Sequence, residues 1–558
     1  MKANELLQSI AKVRRKEVGK PSLDPQLEEL SHSVDNDPIF KAIVKNKRLP
    51  SSIFSFAKVE SVEKLTTSAQ MLIDLVASDY QACCEAELVK LCSTEGSKIE
   101  IILVTKLYIA HIINRGYSAE FIYDCVRGTF YQDRIARCTA GLLGKLFSCF
   151  PDRLSRFDLF YCCGAEYARF LEDQLDIKKY LSVNDIKPAT RSRIPENFGE
   201  GGRKRVVVVP GVPGKDAFSA ARNANMLFSL SRSFLYLHPE NVKPHIDGIA
   251  YAVHGKSKEV TRLTLDQGFV PRRASRNRSD NANSISGLRS YVFPEPKSLR
   301  RANEGQHRIF SSLNSASLAA KTSDPESRLL SIWSAFEALL PDPMRDGEGV
   351  VRILHFADLI TPCAVFDYLP STFAECYRNC STEFGDSFIN TVTELGTGAT
   401  EVEKFASVFI ADQGTKQTVC ATVSSSPLML MRFHRLEKLL SDPKNACRYL
   451  DTHERRVVWQ IHRIYRERNG IVHKAKSNIF LDGLIENSYA YYRSVILHLE
   501  RVHTEYKVTH PDQGLEMIRS LYSEYKLKLQ QISEAPKGNT ADKKVEFTKF
   551  MFAGSLRA

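Results

Sequence analysis

Helical periodicity between residues 451 and 473 is the feature that most restricts how this chain can fold. Buried-type positions recur at i, i+4, i+7 and i+11, and they are occupied by Ile461, Tyr465, Arg468 and Val472. This spacing predicts an amphipathic helix that carries an arginine in its buried stripe. The upstream Asp451-Thr-His-Glu454 has the form of a capping box, which predicts that the helix begins there. A buried arginine costs desolvation energy unless it is paired or faces a functional cavity.

A second stripe on the same predicted helix is wholly polar and lies directly beside the first. It consists of His462, Arg466, Asn469 and His473. In a regular helix with about 100° per residue, Arg468 and His473 point about 140° apart. They converge on one ligand only if the helix ends or bends near Gly470, or if two chains pair around a two-fold axis.

The region before residue 241 is expected to be a mostly helical N-terminal region, residues 1–240. Gly116 has the position of a helix C-cap, and Ser118 follows it as the N-cap of the next helix. Four consecutive valines, Val206–Val209, predict a short buried strand, and Asp216 predicts the start of another helix.

Residues 241–304 change character and are expected to form a small β-containing segment. Strands are predicted at 249–253 and 262–265. They precede a basic, nearly apolar-free stretch at 271–279. That stretch is either a phosphate-binding arm or a solvated linker.

The helical pattern returns in residues 305–508, which we expect to form a helical domain. Asp324-Pro325 has the form of an N-cap followed by proline at the first helical position, and the helix it opens is expected to stop at Pro341. Residues 509–558 are expected to hold a C-terminal helix and a flexible tail, with a polar, disordered stretch at 535–544. The predicted fold class is therefore mainly α, with a helical C-terminal bundle, a larger helical N-terminal region and a small β-containing middle.

The length, composition and charge of the chain indicate how many domains it has and what kind of partner it binds. A chain of 558 residues suggests two to four domains. Its 43% hydrophobic and 25% charged residues are typical of a soluble globular protein. The net charge of +12 favours a polyanionic partner, of which nucleic acid is the commonest.

The cysteines and the apolar segments point to a cytoplasmic protein. The thirteen cysteines have no disulfide-framework or zinc-finger spacing and are expected to be reduced thiols. The first residues lack a signal-peptide core. The most apolar stretch, 99–113, is too short to span a bilayer and contains Lys106 and His111, so no membrane role is expected. No metal site and no cofactor are expected. Residues 210–216 resemble a phosphate loop only superficially, because their glycines are too close together.

The residues at 468–473 suit the cleavage of RNA without a metal. A neutral imidazole can accept the proton of a 2′-hydroxyl, a protonated imidazole can donate one to the leaving 5′-oxygen, and a guanidinium matches the developing phosphorane charge. The bare spacing is weak evidence, since Arg448 with His453 and Arg493 with His498 share it. The helical context separates Arg468 from these two matches.

The chain also resembles a known family at these residues. Residues 453–473 are very similar to the signature helix of HEPN ribonucleases, specifically the Apea-like HEPN family. Residues 331–340 resemble the family's Trp/Glu helix, and residues 484–492 resemble the helix after the motif. Less specifically, residues 115–118 and 216–220 resemble segments of the longer bacterial members.

The resemblance implies an all-helical HEPN-type domain at the C-terminal end that dimerises and cuts RNA without a metal, leaving 2′,3′-cyclic phosphate ends. Proteins of this kind serve prokaryotic stress response or antiphage defence, as toxins that respond to a phage or stress trigger. The family's arginine and histidine correspond to Arg468 and His473, and its polar residue after the arginine corresponds to Asn469. The family's acid corresponds to Glu337, which either orients the arginine or forms a salt bridge to Arg468 or Arg463. The sequence departs from the family pattern at Gly470, where a larger residue is expected.

The sequence therefore predicts a homodimeric, metal-independent endoribonuclease with an N-terminal sensor or substrate-selecting region. The alternative is a non-catalytic HEPN-type module that binds RNA or protein, and a third possibility is an antitoxin-like partner of a nucleotidyltransferase. The predicted catalytic residues are Arg468, Asn469, His473 and Glu337. The predicted substrate-binding residues are Arg463, Arg466, His462, Arg272, Arg273 and Arg276.

Overall fold

The computed structural model divides the chain into two compact units, Met1–Gln267 and Gly268–Ala558. It describes residues 2–15, 23–56, 61–94, 97–131, 138–175, 177–180, 194–195, 197–199, 202–235, 243–265, 304–322, 324–341, 350–474, 481–535 and 540–554. None of the helices in these ranges combines the length and the apolar character that crossing a bilayer requires.

The first unit begins with a bundle of helices and continues into a sheet. The helices before the sheet are α1 (Lys2–Arg14), α2 (Asp24–Asp35), α3 (Pro38–Asn46), α4 (Val62–Ser93), α5 (Lys98–Asn114), α6 (Ala119–Phe130) and α7 (Ala140–Phe147). The remaining elements are β1 (Ser155–Gly164), α8 (Ala165–Leu175), β2 (Lys179–Tyr180), β3 (Lys204–Gly214), α9 (Ala217–Leu235), β4 (Ile246–His254) and β5 (Val260–Thr264). The bundle has its own apolar core, which includes Leu6, Tyr108 and Ile112.

The five strands form one antiparallel sheet in the order β2-β3-β1-β4-β5. The predicted valine strand is present as part of β3, and the two strands predicted after residue 241 are present as β4 and β5. They are hydrogen-bonded into a sheet that starts at residue 155, so the compact unit extends through Gln267 rather than ending near residue 240.

The central strand, β1, was not expected, because that region was interpreted as mainly helical. Five consecutive residues, Leu159 to Cys163, are buried, since helices α8 and α9 cover one face and apolar residues cover the other. A strand buried on both faces has no alternation of polar and apolar residues. Periodicity alone therefore does not distinguish it from a helix.

A buried carboxylate ties the start of α6 to the start of α9. Both N-cap predictions are confirmed, because Ser118 Oγ accepts from Phe121 N at 3.1 Å and Asp216 Oδ1 accepts from Ser219 N at 2.8 Å. The two caps also bind each other, since Ser118 N donates to Asp216 Oδ2 at 2.7 Å and Ser118 Oγ donates to Asp216 Oδ1 at 2.9 Å. Asp216 is 2% exposed.

Replacing Asp216 by alanine is therefore expected to destabilise the first unit by about 3 kcal/mol. Two buried backbone N–H groups lose their acceptor, each at a cost of about 1–3 kcal/mol. Hydrogen exchange of peptides from residues 118–130 and 217–235 measures the effect. Asp216→Asn keeps one acceptor oxygen and serves as the milder control. Equal protection of these peptides in the alanine variant and the wild type would contradict the proposed linkage.

The second unit is helical throughout its described residues. Its helices are α10 (Glu304–Lys321), α11 (Pro325–Leu339), α12 (Val350–Val365), α13 (Tyr368–Leu395), α14 (Glu401–Val408), α15 (Gln413–Thr422), α16 (Pro427–Ser441), α17 (Pro443–Lys474), α18 (Leu481–Tyr506), α19 (Pro511–Glu534) and α20 (Thr540–Ala553). The prediction for α11 is confirmed, because Asp324 Oδ2 accepts from Ser327 N at 2.7 Å and Leu340 is the C-cap.

Two predictions for this unit are wrong. The polar stretch at 535–544 was expected to be disordered, but its part from Thr540 onward belongs to α20, which buries Phe547 and Met551 in the core; residues 536–539 lie outside the described residues. Helix α17 begins at Pro443 and not at Asp451. Asp451 and Glu454 lie inside the helix, where both carboxylates bind Lys526 Nζ of α19, at 2.9 and 2.5 Å. The two acidic residues that match the capping-box pattern are therefore ion-pair partners of Lys526 and do not cap a helix.

Candidate functional site

Arg468 joins α17 to α11. Its Nη2 atom lies 3.4 Å from both carboxylate oxygens of Glu337. The two side chains are 25% and 23% exposed, so the pair is partly open to solvent. Of the two roles that the sequence left open for Glu337, a contact with Arg468 is present. The arginine that the sequence placed on the buried stripe is thus paired with a carboxylate.

Trp333 holds Glu337 in place from the same helix. The indole Nε1 donates to Glu337 Oε1 at 2.9 Å, across one turn of α11. The Trp333 ring is 1% exposed and packs on Tyr465, with 5.6 Å between ring centroids. Tyr465 precedes Arg468 by three residues on α17, so the same two helices meet through an apolar contact and a polar one. A charged group supported in this way is preorganised for its ligand.

Asn469 supports the guanidinium from the other side. Its Oδ1 atom accepts a hydrogen bond from Arg468 Nη1 at 3.0 Å. A guanidinium has five N–H donors, and the two contacts to Glu337 and Asn469 use only its terminal nitrogens. The Nε–H group has no hydrogen-bond partner within the described ranges, and donors therefore remain for an anion.

His473 lies near the end of α17 and is exposed. The helix continues through Gly470 to Lys474, so it does not end near Gly470, which was one of the two arrangements considered from the sequence. With a regular helix, Arg468 and His473 point about 140° apart and lie about 7.5 Å apart along the axis. The two side chains of one chain therefore diverge.

Two of the helix residues predicted to bind substrate are buried. His462 and Arg463 are each 8% exposed, whereas Arg466 is partly exposed. Burial, with a smaller contribution from the charge of Arg466, lowers the pKa of His462 to about 4. His462 is therefore neutral near pH 7 and does not act as a proton donor. Of the four residues in the predicted polar stripe, His462 is therefore buried and does not form part of an exposed polar surface.

The other predicted residues and sites give three further findings. Arg272, Arg273 and Arg276 lie outside the described residues. Within the described ranges, no group of three His, Cys, Asp or Glu side chains is arranged to hold a metal ion. The sequence placed Tyr465 on a buried stripe and Trp333 on a family-like helix, but it did not predict either as part of the site, although the i, i+4 spacing of Trp333 and Glu337 on a helix was available as a signal.

Comparison with known proteins finds no match to this chain among protein-family models, curated proteins or solved structures. The resemblance to HEPN proteins therefore rests on the residues of α11, α17 and α18 quoted above.

Proposed function

We propose that this protein is a HEPN-type, metal-independent endoribonuclease that acts as a homodimer. The observation that supports this most directly is the environment of Arg468. A guanidinium held by Glu337 and Asn469, with donors still open, lies five residues before an exposed histidine on one helix. These are the groups that cleavage by an internal nucleophile requires.

The proposed reaction uses the RNA's own 2′-hydroxyl. A neutral His473 imidazole accepts the 2′-hydroxyl proton while the oxygen attacks the adjacent phosphorus. The bond from phosphorus to the 5′-oxygen breaks, and a protonated imidazole gives a proton to that oxygen. The products are a 2′,3′-cyclic phosphate and a 5′-hydroxyl. Arg468 stabilises the negative charge on the phosphorane through its paired N–H donors.

The partner chain supplies the second imidazole in this proposal. Within one chain His462 is buried and its pKa is lowered to about 4, so it does not serve as the acid at neutral pH. A two-fold axis beside α17 brings a second His473 and a second Arg468 to the same phosphate. Val472, beside His473, is 49% exposed and is available for such a contact.

The cellular role follows from the same resemblance. We place the enzyme in prokaryotic stress response or antiphage defence, with cytoplasmic RNA as substrate and the first unit as sensor or substrate selector. Expression of the active chain is then expected to be toxic when the trigger is present. A growth assay with the wild type and His473→Ala tests this role, which fails if both chains are equally toxic.

Mapping of product ends tests the reaction. Total RNA is incubated with the wild type, with the wild type in excess EDTA, and with His473→Ala. We expect 2′,3′-cyclic phosphate ends in the first two reactions and their loss in the third, because the imidazole carries the proton transfer. Loss of activity in EDTA would indicate a metal nuclease. RNA binding without any product in all three would favour the alternative, a non-catalytic binding module.

A further inference from the structure

A stack of aromatic rings lies where α13, α16 and α17 meet, away from the Arg468 contacts. The Tyr368 ring is parallel to the His453 ring, with 3.4 Å between centroids and an angle of 7°. It also stacks on Tyr449 at 5.3 Å. The two phenols are hydrogen-bonded, with Tyr368 Oη donating to Tyr449 Oη at 2.8 Å. Residues from two helices thus hold one another rigidly at the surface.

Two arginines complete this cluster. Arg435 of α16 places its guanidinium carbon 5.1 Å from the Tyr449 ring centroid, and its Nη2 donates to Tyr449 Oη at 2.6 Å. Arg456 follows Tyr449 by seven residues, so it projects from the same side of α17. Burial raises the pKa of Tyr368, and the positive charges of Arg435 and Arg456 oppose that rise. We call these five residues the arginine–tyrosine patch.

The arginines of the patch are exposed, and neither has a carboxylate partner within the described ranges. The carboxylates on α16 and the adjoining part of α17 are engaged elsewhere. Glu437 binds Lys416, and Asp451 and Glu454 bind Lys526. Asp442 accepts from Lys444 N at the start of α17. Further exposed basic residues on these two helices are His434, Lys438, Lys444, Arg448 and Arg455. The exposed surface of α16 and of the adjoining part of α17 therefore carries mainly positive charge.

We propose that the arginine–tyrosine patch binds the phosphate backbone of single-stranded RNA outside the cleavage site. Arg435 is preorganised by its contact with Tyr449, so little side-chain entropy is lost when it binds a phosphate. Because Arg435 is exposed, its guanidinium can also stack on a splayed base, an interaction typical of single-stranded RNA recognition. The choice of RNA as the polyanion rests on the proposed function.

The position of the patch fits a substrate that extends beyond the reacting phosphate. Arg456 and Arg468 are twelve residues apart on α17, which corresponds to about 18 Å along the axis. The two side chains also point about 120° apart around the helix, so a single strand held by the patch has to curve around α17 as well as extend along it to reach Arg468. Contacts of this kind change the affinity for RNA and leave the cleaved bond to other residues.

Binding of a labelled single-stranded RNA, followed by anisotropy over a range of salt concentrations, tests the proposal. All proteins carry His473→Ala so that the RNA stays intact. Adding Arg435→Gln and Arg456→Gln is expected to weaken binding at least about tenfold and to reduce the salt slope by about 1.4, or 0.7 per phosphate contact. Adding Arg378→Gln and Lys549→Gln instead removes two exposed charges from α13 and α20 and is the matched control.

The proposal is overturned if the two double substitutions have equal effects, if the parent does not bind RNA, or if a polyglutamate peptide competes as strongly as RNA does. Arg435→Lys with Arg456→Lys keeps the charges and is expected to keep the parent's salt slope. A slope as low as that of the glutamine variant also overturns the proposal. The two proposals are tested independently. If the wild type does not cleave RNA, the proposed nuclease function is wrong, but the binding measurements on the patch still stand.

Discussion

Replacing Arg468 by alanine is expected to lower the rate of RNA cleavage by at least about 10³-fold. A single preorganised neutral donor raises kcat by about 10²–10³-fold, and a charged, bidentate donor such as a guanidinium contributes more. The loss should appear in kcat rather than in KM, since the guanidinium is proposed to act on the developing phosphorane. Single-turnover cleavage of a defined RNA measures it. The free energy of unfolding should fall by only about 1 kcal/mol, because Trp333 still holds Glu337.

Two variants separate positioning from charge. Arg468→Lys keeps the charge but loses the fork that matches two phosphate oxygens, so it should recover little activity. Glu337→Gln keeps the shape of its side chain and removes the charge beside Arg468, and an intermediate loss in kcat is expected. Arg378→Ala, an exposed arginine on α13, is the control and should cleave like the wild type. Cleavage by Arg468→Ala at the wild-type rate would exclude the proposed site.

The requirement for two chains makes the same site testable by mixing. Wild-type chain is assembled with a tenfold excess of a chain carrying both Arg468→Ala and His473→Ala. If each site needs residues from two chains, activity per wild-type chain falls to about a tenth, because most wild-type chains then pair with an inactive one. A site contained in one chain would keep full activity in the mixture.

Replacing Trp333 by alanine is expected to destabilise the second unit by about 3–5 kcal/mol. The ring is 1% exposed and packs against Phe336, Phe356 and Tyr465. The substitution leaves a cavity and also an unsupported Glu337. The chain has two tryptophans, so Trp459 is the only tryptophan left in the variant, and its fluorescence, excited selectively near the red edge of tryptophan absorption, follows urea unfolding of that unit.

Trp333→Phe separates packing from positioning. Phenylalanine keeps most of the apolar contact and should cost much less stability, but it lacks the N–H that donates to Glu337 at 2.9 Å. We therefore expect a folded protein with a reduced kcat. An unchanged urea midpoint in Trp333→Ala would contradict the packing argument, and an unchanged kcat in Trp333→Phe would mean that the indole does not position the acid.

Short sequence patterns predicted helix caps correctly where the capping side chain and the backbone group that it binds are close together along the chain. The N-caps at Ser118, Asp216 and Asp324 bind backbone N–H groups within three residues, so short patterns predicted them. Asp451 and Glu454 matched such a pattern equally well, yet they bind a lysine more than seventy residues away. A capping box and a mid-helix acidic pair have the same spacing, and only the position of α19 distinguishes them.

For the candidate site, the sequence by itself determined the stripe of α17 on which Arg468 lies and the identity of Asn469 beside it, because the helix period is a local property of the chain. The tertiary structure decided that Glu337, 131 residues earlier, is the partner of Arg468, and that His462 and Arg463 are buried. It also decided that the helix continues through Gly470, so that Arg468 and His473 diverge. These outcomes depend on which helices pack against α17, and the periodicity of a helix shows which of its faces is buried but not which distant segment covers that face.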